Sequence, residues 1–296
     1  MTGKVIDSHF HIWRQQDLPW LSGPMVPRIF GPYEPIRRDY PIEEFLADQN
    51  GSGVTKTVYV QTNWAKEDFE KEVAWVQRTA EETGWPHAIV GYADMTADDV
   101  RPQFDRLKQY PLLRGVRMQF HWHETPQFRF AASADQVIDP KVRRNVARLK
   151  DYGLSFDLQL FPGQMKDGLA LVGENPGTDF VLTHTGMLTD MRADTVERWR
   201  EGLSTLAAAP NLYAKLSGLG TFAHRNDPVL IGFIYDSAIA ILGSERLMFG
   251  SNFPIEKLWT DHASMIAGHR SAAARHGRRA EADIFWNTAE KVYRPV

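Results

Sequence analysis

The stretch Val5-Ile6-Asp7-Ser8-His9-Phe10-His11-Ile12-Trp13 reads as a strand with three ionisable side chains at alternate positions. Side chains of a strand alternate between faces, so Asp7, His9 and His11 share one face and Ser8, Phe10 and Ile12 the other. Two imidazoles two residues apart on one face can hold a metal ion or a polar substrate atom between them. The plainer alternative is a polar edge strand with surface histidines. The stretch starts four residues into the chain, so it is expected to be the first strand of the fold.

Outward from it the chain alternates. A long Pro-rich loop, residues 14–40, carries Pro19, Pro24, Pro27, Pro32 and Pro35 among Trp20, Phe30 and Tyr33. Proline stiffens irregular backbone, and a loop this long is usually functional or disordered. Its aromatics favour an ordered cover over a site, with Trp13 and Trp20 near the ligand. Strands are expected at 56–61, 88–92, 114–120, 154–160, 179–184, 211–216 and 246–251, from their β-branched and apolar runs. Between them lie helical stretches at 68–83, 97–109, 139 to about 152, 163–174, around Val196 to Leu206, and at 228–242. Eight strand–helix units in 296 residues predict an α/β fold, a single-domain (β/α)₈ barrel over residues 1–296. An open doubly wound sheet is the rival, weakened because no Gly-rich phosphate fingerprint follows the first strand.

Composition narrows the function. The chain is 43% hydrophobic, with net charge -3 and no cysteine. No basic stripe points to nucleic acid, and disulfides, thiolate nucleophiles and Cys-type zinc sites are excluded. No apolar run reaches the roughly 20 residues that cross a bilayer, and no signal peptide precedes Val5, so a cytoplasmic location and no membrane partner are expected. Self-association into a homo-oligomer stays open.

A barrel gathers its chemistry at the C-terminal ends of its strands. Strand one offers His9 and His11, strand two Gln61, Asn63 and Trp64. Strand four offers Arg117, Gln119, His121, His123 and Glu124, and strand five Asp157 and Gln159. Strands six to eight add His184, then Lys215 and Ser217, then Ser251 and Asn252. His-x-His with a distant His is a plausible three-nitrogen metal set. His121-Trp122-His123-Glu124 is either a second catalytic cluster or a polar loop with an aromatic anchor. Arg117 and Lys215, internal to strands, either pair with a substrate anion or form structural ion pairs. Gln61 and Gln159 are expected to orient ligands.

These residues resemble the amidohydrolase superfamily. The resemblance rests on Asp-x-His-x-His, Arg-Gly-Val-Arg, Thr-His-Thr-Gly, Lys-Leu-Ser-Gly and Phe-Gly-Ser-Asn-Phe-Pro at successive strand ends, and runs from Val5 to about Thr288. The chain is most similar to the lactonase-type branch, with L-fuconolactone hydrolases and 2-pyrone-4,6-dicarboxylate lactonase. The resemblance implies a barrel that hydrolyses a C–O or C–N bond of a carbonyl compound. His9, His11 and His184 match the histidines that hold a metal or polarise the substrate. One divalent cation, zinc or manganese, or metal-independent chemistry, follows from it. No lysine stands on strand four, so a carbamylated two-metal centre is not expected. Asn252 departs from the pattern, because the superfamily usually has an aspartate there as ligand and base. An amide does not titrate near neutral pH and brings no charge to a cation.

The leading expectation is a hydrolase opening a lactone of a sugar acid or an aromatic-derived carboxylate. Its catalytic residues would be His9, His11, His184, Asn252, His121 and Glu124. Its substrate-binding residues would be Trp13, Gln61, Asn63, Trp64, Arg117, His123, Gln159 and Lys215, facing an anionic or polar small molecule. The water-activating base would be His184, His121 or Glu124. The alternatives are a metal-dependent decarboxylase of an aromatic carboxylate and a small-molecule binding protein that has lost catalysis through Asn252.

Overall fold

Each β-branched run becomes a short strand buried on both faces, as a parallel sheet covered by helices requires. In the computed structural model, which describes residues 3–296, they are β1 (Val5–Phe10), β2 (Val54–Val60), β3 (Ala88–Tyr92) and β4 (Leu113–Gln119). They continue as β5 (Ser155–Gln159), β6 (Phe180–Leu182), β7 (Leu212–Leu216) and β8 (Leu247–Phe249). Each strand pairs in parallel with its successor, in the order β1 to β8. The seam between β8 and β1 is joined by Ser8 Oγ donating to Phe249 O at 2.6 Å, Asn252 N to His9 O at 2.7 Å and His11 N to Phe253 O at 2.8 Å. This is a (β/α)₈ barrel, and its closing bonds run through the stretch that carries the His-x-His pair.

The surrounding helices follow their local signals. The helix Phe69–Thr83 ends at Gly84, whose φ of 80° is the left-handed stop glycine accepts without a Cβ clash. The helix Pro140–Val146 is capped by the Asp139 carboxylate, which accepts from Lys141 N at 2.8 Å. The helix expected over 97–109 is shorter, Arg101–Leu107. Strand six stops at Leu182, so His184 lies beyond it with a φ of 53°. Strand one stops at Phe10, so His11 stands on the loop that follows.

The barrel interior is layered. Ile6, Val58, Val60, Val90, Val181 and Met248 fill one end with apolar side chains, packed with Tyr293 of the helix Thr288–Tyr293. Above them Lys215 Nζ donates to Asp157 Oδ2 at 2.6 Å, and Tyr293 OH donates to Asp157 Oδ1. Both charged side chains are fully buried. The expectation that Lys215 binds substrate is therefore corrected: its ammonium is spent on Asp157 below the site, and it does not line the cavity. Removing one partner of a buried pair leaves the other charge uncompensated, at a cost of about 3–5 kcal/mol. Lys215→Met is expected to lose that much stability in urea unfolding followed by circular dichroism. A loss below ~1 kcal/mol would show that the pair contributes nothing to the fold.

Candidate active site

The loops after the strands enclose a cavity of about 780 Å³, counting its open mouth. Its wall is part aromatic and part polar. Trp13, Trp20, Phe30 and Phe130 supply the aromatic side; His11, His121 and His184 converge on the polar one. Arg28, Arg117 and Arg129 line it together with Gln61, Asn63, Gln119, Gln127 and Gln159. No aspartate or glutamate is among the lining residues.

Loop residues 14–40 form one wall through Trp20, Arg28, Ile29 and Phe30. Short helical turns at Gln15–Asp17, Pro19–Ser22 and Glu34–Ile36 order this segment, and Trp20 Nε1 donates to Thr62 O at 2.8 Å. Trp13 is tied down by Nε1 donating to Arg38 O at 2.8 Å. Trp20 packs edge-on to Trp13, ring centroids 5.7 Å apart. Filling the cavity is therefore expected to change tryptophan emission, and Trp20→Phe to lose most of that change; an unaltered spectrum in both proteins would place the ligand elsewhere.

The histidines are held from behind. The His9 ring lies 5.0 Å from that of His11 and 4.9 Å from that of His184. His9 is fully buried and does not itself line the cavity, and neither ring nitrogen has a hydrogen-bond partner. His11 Nδ1 is 2.7 Å from Val60 O; a carbonyl only accepts, so this nitrogen carries the proton and Nε2 keeps its lone pair. His184 Nδ1 stands 3.0 Å from Ser217 Oγ. Gly218 makes room for that ring: a Cβ there would stand 2.6 Å from His184 Nδ1, and its φ of 62° suits glycine besides.

Burial, then the Arg117 charge, pushes the pKa of His11, His121 and His184 down to about 3. Burial also lowers that of His9. All four are neutral at physiological pH, the form that ligates or accepts a proton. Burial lowers Arg117 to about 10, so it stays a cation. Its Nη2 donates to Gln61 O, while its Nε is buried without a partner. The Nε of Arg28 is in the same condition. Gln61 Oε1 accepts from Asn63 N at 2.7 Å, and Gln119 Nε2 donates to Gln159 Oε1 at 3.2 Å.

Several expected site residues fall outside the cavity. Glu124 is exposed, and His123 packs at a tilt against Phe161 and Phe128 in a neighbouring surface depression. Arg129 turns their loop outward by donating to His123 O and Glu124 O, both at 2.6 Å. Trp64 packs against Trp75 with the Arg14 guanidinium over its ring, facing away from the cavity. Sequence reasoning missed Arg28, Gln127, Arg129, Thr221 and Ile255 as lining residues. They sit on loops, where no periodicity reports which way a side chain faces. It also missed Glu256, fully buried behind Asn252, whose place one turn after the Ser-Asn-Phe-Pro motif was the available signal.

The donor set suits a divalent cation in kind: three neutral imidazoles, two with Nδ1 already engaged, as ligating histidines usually have. Among the described residues no three His, Asp or Glu side chains stand at ion-binding spacing. Holding an ion on His9, His11 and His184 thus requires their rings to close in by side-chain rotation.

Comparison with known proteins places this geometry. A family model described as Amidohydrolase matches residues 6–294. The uncharacterized protein y4mH of Sinorhizobium fredii is 34% identical over 98% of this chain and 98% of its own. An L-fucono-1,5-lactonase of Burkholderia ambifaria is 28% identical, covering 98% of this chain and 95% of its own. The crystal structure of an amidohydrolase from Burkholderia multivorans with bound zinc superposes with a TM-score of 0.81 at 27% identity, covering 99% of this chain and 100% of that one.

Proposed function

The chain belongs to the amidohydrolase family, and we propose that it opens a lactone whose ring carries an anionic group. The observation that carries this reading is the lining of the cavity: Arg28, Arg117 and Arg129 with no carboxylate among the lining residues, beside three neutral imidazoles. The buried, unpartnered Nε groups of Arg117 and Arg28 are complementary to a carboxylate, and the amides of Gln61, Gln119 and Gln159 to ring oxygens. The lactonase name of the Burkholderia ambifaria relative is in keeping with the lactone, and the arginines alone argue for its charge.

In this reading the substrate's carboxylate lies against Arg117 and its ring against Trp13 and Trp20. The lactone carbonyl points to the His9, His11 and His184 side. Those three residues would hold a divalent cation, which when bound supplies Lewis-acid polarisation of the carbonyl. His121 follows β4 and Asn252 follows β8, half a barrel apart. In this reading His121 takes a proton from water as the water oxygen bonds to the carbonyl carbon. The imidazolium then returns that proton to the ring oxygen as the ring C–O bond breaks, giving a hydroxy acid.

The experiment is a panel of lactones, among them L-fucono-1,5-lactone and 2-pyrone-4,6-dicarboxylate, with proton release as the readout, before and after zinc loading. Turnover of at least one anionic lactone is expected, and none over the panel would end the proposal. For that substrate Arg117→Met is expected to lower kcat/KM by about tenfold or more, the scale of a lost charged hydrogen bond. Neutral lactones should lose less. An equal kcat/KM in the variant would mean that Arg117 serves the barrel and not the ligand.

A further inference from the structure

We infer that Glu256 is a positioning residue: its buried carboxyl donates to Asn252 Oδ1 and turns the amide nitrogen toward the cavity, making Asn252 a hydrogen-bond donor to the substrate carbonyl. The inference rests on the hydrolase reading, and it assigns the asparagine a role other than that of the aspartate it replaces.

Glu256 opens the turn Glu256–Leu258 and its backbone N–H reaches Asn252 O at 3.3 Å, so the two side chains lie one turn apart on one side. The carboxyl is 4% exposed. Trp259 Nε1 donates to its Oε2 at 2.8 Å, whereas Oε1 is buried with no aligned partner. Space for it is made by Gly220, where a Cβ would stand 2.7 Å from Oε2 and 2.3 Å from Trp259 Nε1. Asn252 lies between this carboxyl and His11 and lines the cavity, its amide nitrogen toward the carboxyl and its oxygen toward the ring; the two ends of an amide are told apart only by their hydrogen bonds, and here those reverse it.

Donor and acceptor counting then decides the amide's orientation. His11 gives its one proton to Val60 O through Nδ1, so its Nε2 can only accept. An amide facing that lone pair must present its nitrogen. Its Oδ1 is then left facing Glu256, and two acceptor oxygens cannot face each other in a buried site unless one carries a proton. Burial supplies that proton: it pushes the Glu256 carboxyl up to about 8 even with Trp259, the Asn252 amide nitrogen, Thr221 and the Gly220 N–H pulling it down, and turning the amide over removes one of those pulls. The second amide N–H is free for a carbonyl oxygen in the cavity, where such a donor is worth most as negative charge develops. An amide turned this way offers no oxygen to a cation. The groups facing Glu256 are Trp259, Asn252, Thr221 and the backbone of Gly220. His224 stands behind Trp259 with ring centroids 5.9 Å apart, and Lys257 is turned outward to Glu44 and Asp48.

Infrared difference spectroscopy of the whole protein reads this directly. The wild type at pH 6 is expected to show the C=O stretch of a buried carboxylic acid, lost on raising the pH with a midpoint near 8 and absent in Glu256→Gln. On whichever lactone is turned over, kcat should fall along the same midpoint. Glu256→Gln, whose amide can still donate to Oδ1, should keep most of kcat and lose the alkaline fall. Glu256→Leu should drop kcat by about a hundredfold with KM little changed. A carboxylate already ionised at pH 6, or a Glu256→Gln variant as impaired as Glu256→Leu, would overturn the assignment. The infrared arm needs no substrate, so it decides even where the lactone reading fails.

Discussion

Asn252→Leu should lose about two to three orders of magnitude in kcat, the effect of deleting one donor aimed at a developing oxyanion. Asn252 lines the cavity with its backbone at a φ of 56°. Asparagine tolerates this left-handed conformation, whereas leucine there costs roughly 1–2 kcal/mol. The loss must therefore be read on protein shown to be folded, and a stability penalty of that size cannot mimic it, because kcat is measured per folded molecule. KM should change little, since the lost contact belongs to the transition state. Asn252→Asp is the informative partner. It adds the anion that three neutral imidazoles lack, so zinc content after purification should rise. Full turnover in Asn252→Leu would remove this position from the chemistry and leave His121 and the histidine group to carry it alone.

The second large effect is acid instability. His9, His11, His121, His184, His262 and His269 are buried, and burial is the first cause lowering each pKa. His11, His121, His184 and His269 fall to about 3 and His262 to about 4. The unfolded chain takes up protons as the pH drops through about 6.5, while the folded protein does not. Stability is therefore fully present above that pH and is lost as the pH falls toward the folded values. Asp7, Glu72, Asp179 and Glu256 act oppositely, each raised by burial, Asp7 to about 6 and Glu256 to about 8. Their contribution is complete in acid and fades as the pH rises through those values. The six histidines outnumber these four carboxyls. A tenfold difference in proton affinity between folded and unfolded chain is worth about 1.4 kcal/mol. On that scale the histidines together remove on the order of 10 kcal/mol by pH ~4.5, comparable to the whole stability of a domain. The melting temperature should fall steeply below pH ~6, and a flat profile down to pH ~4.5 would mean that these rings are hydrated or charged in the native state.

The fold was legible where side-chain pattern alone decides structure. β-branched runs such as Thr57-Val58-Tyr59-Val60 leave a parallel strand few rivals, and a stop glycine such as Gly84 marks its helix end. His9, His11 and His184 could be grouped because strand ends converge in a barrel whatever the loops do. Lys215 could not be placed. Its partner Asp157 is two strands away, across the barrel interior, and alternation along one strand says nothing about what fills the middle. His123 and Glu124 failed for another reason. A loop of four polar and aromatic residues has no period, and Arg129 fixes its direction by bonds to two backbone carbonyls. Arg28 was hidden within the Pro-rich segment, whose aromatics foretold a wall but not its charge. Glu256 lay in plain view, four residues past Asn252, but an acidic residue on a turn is read as solvent-facing until its burial is seen.

Hydrolysis in isotopically labelled water (heavy oxygen) bears most directly on the claim that this cavity adds water to a lactone carbonyl. An anionic lactone from the panel, turned over by the wild-type protein, should give a hydroxy acid with one label in the new carboxylate and none in the alcohol oxygen. Mass spectrometry reads both positions. A label in the alcohol would show attack at the ring carbon instead, and release of carbon dioxide with no label in the organic product would show a decarboxylase. Either result would contradict water attack on the carbonyl carbon as the reaction of this cavity.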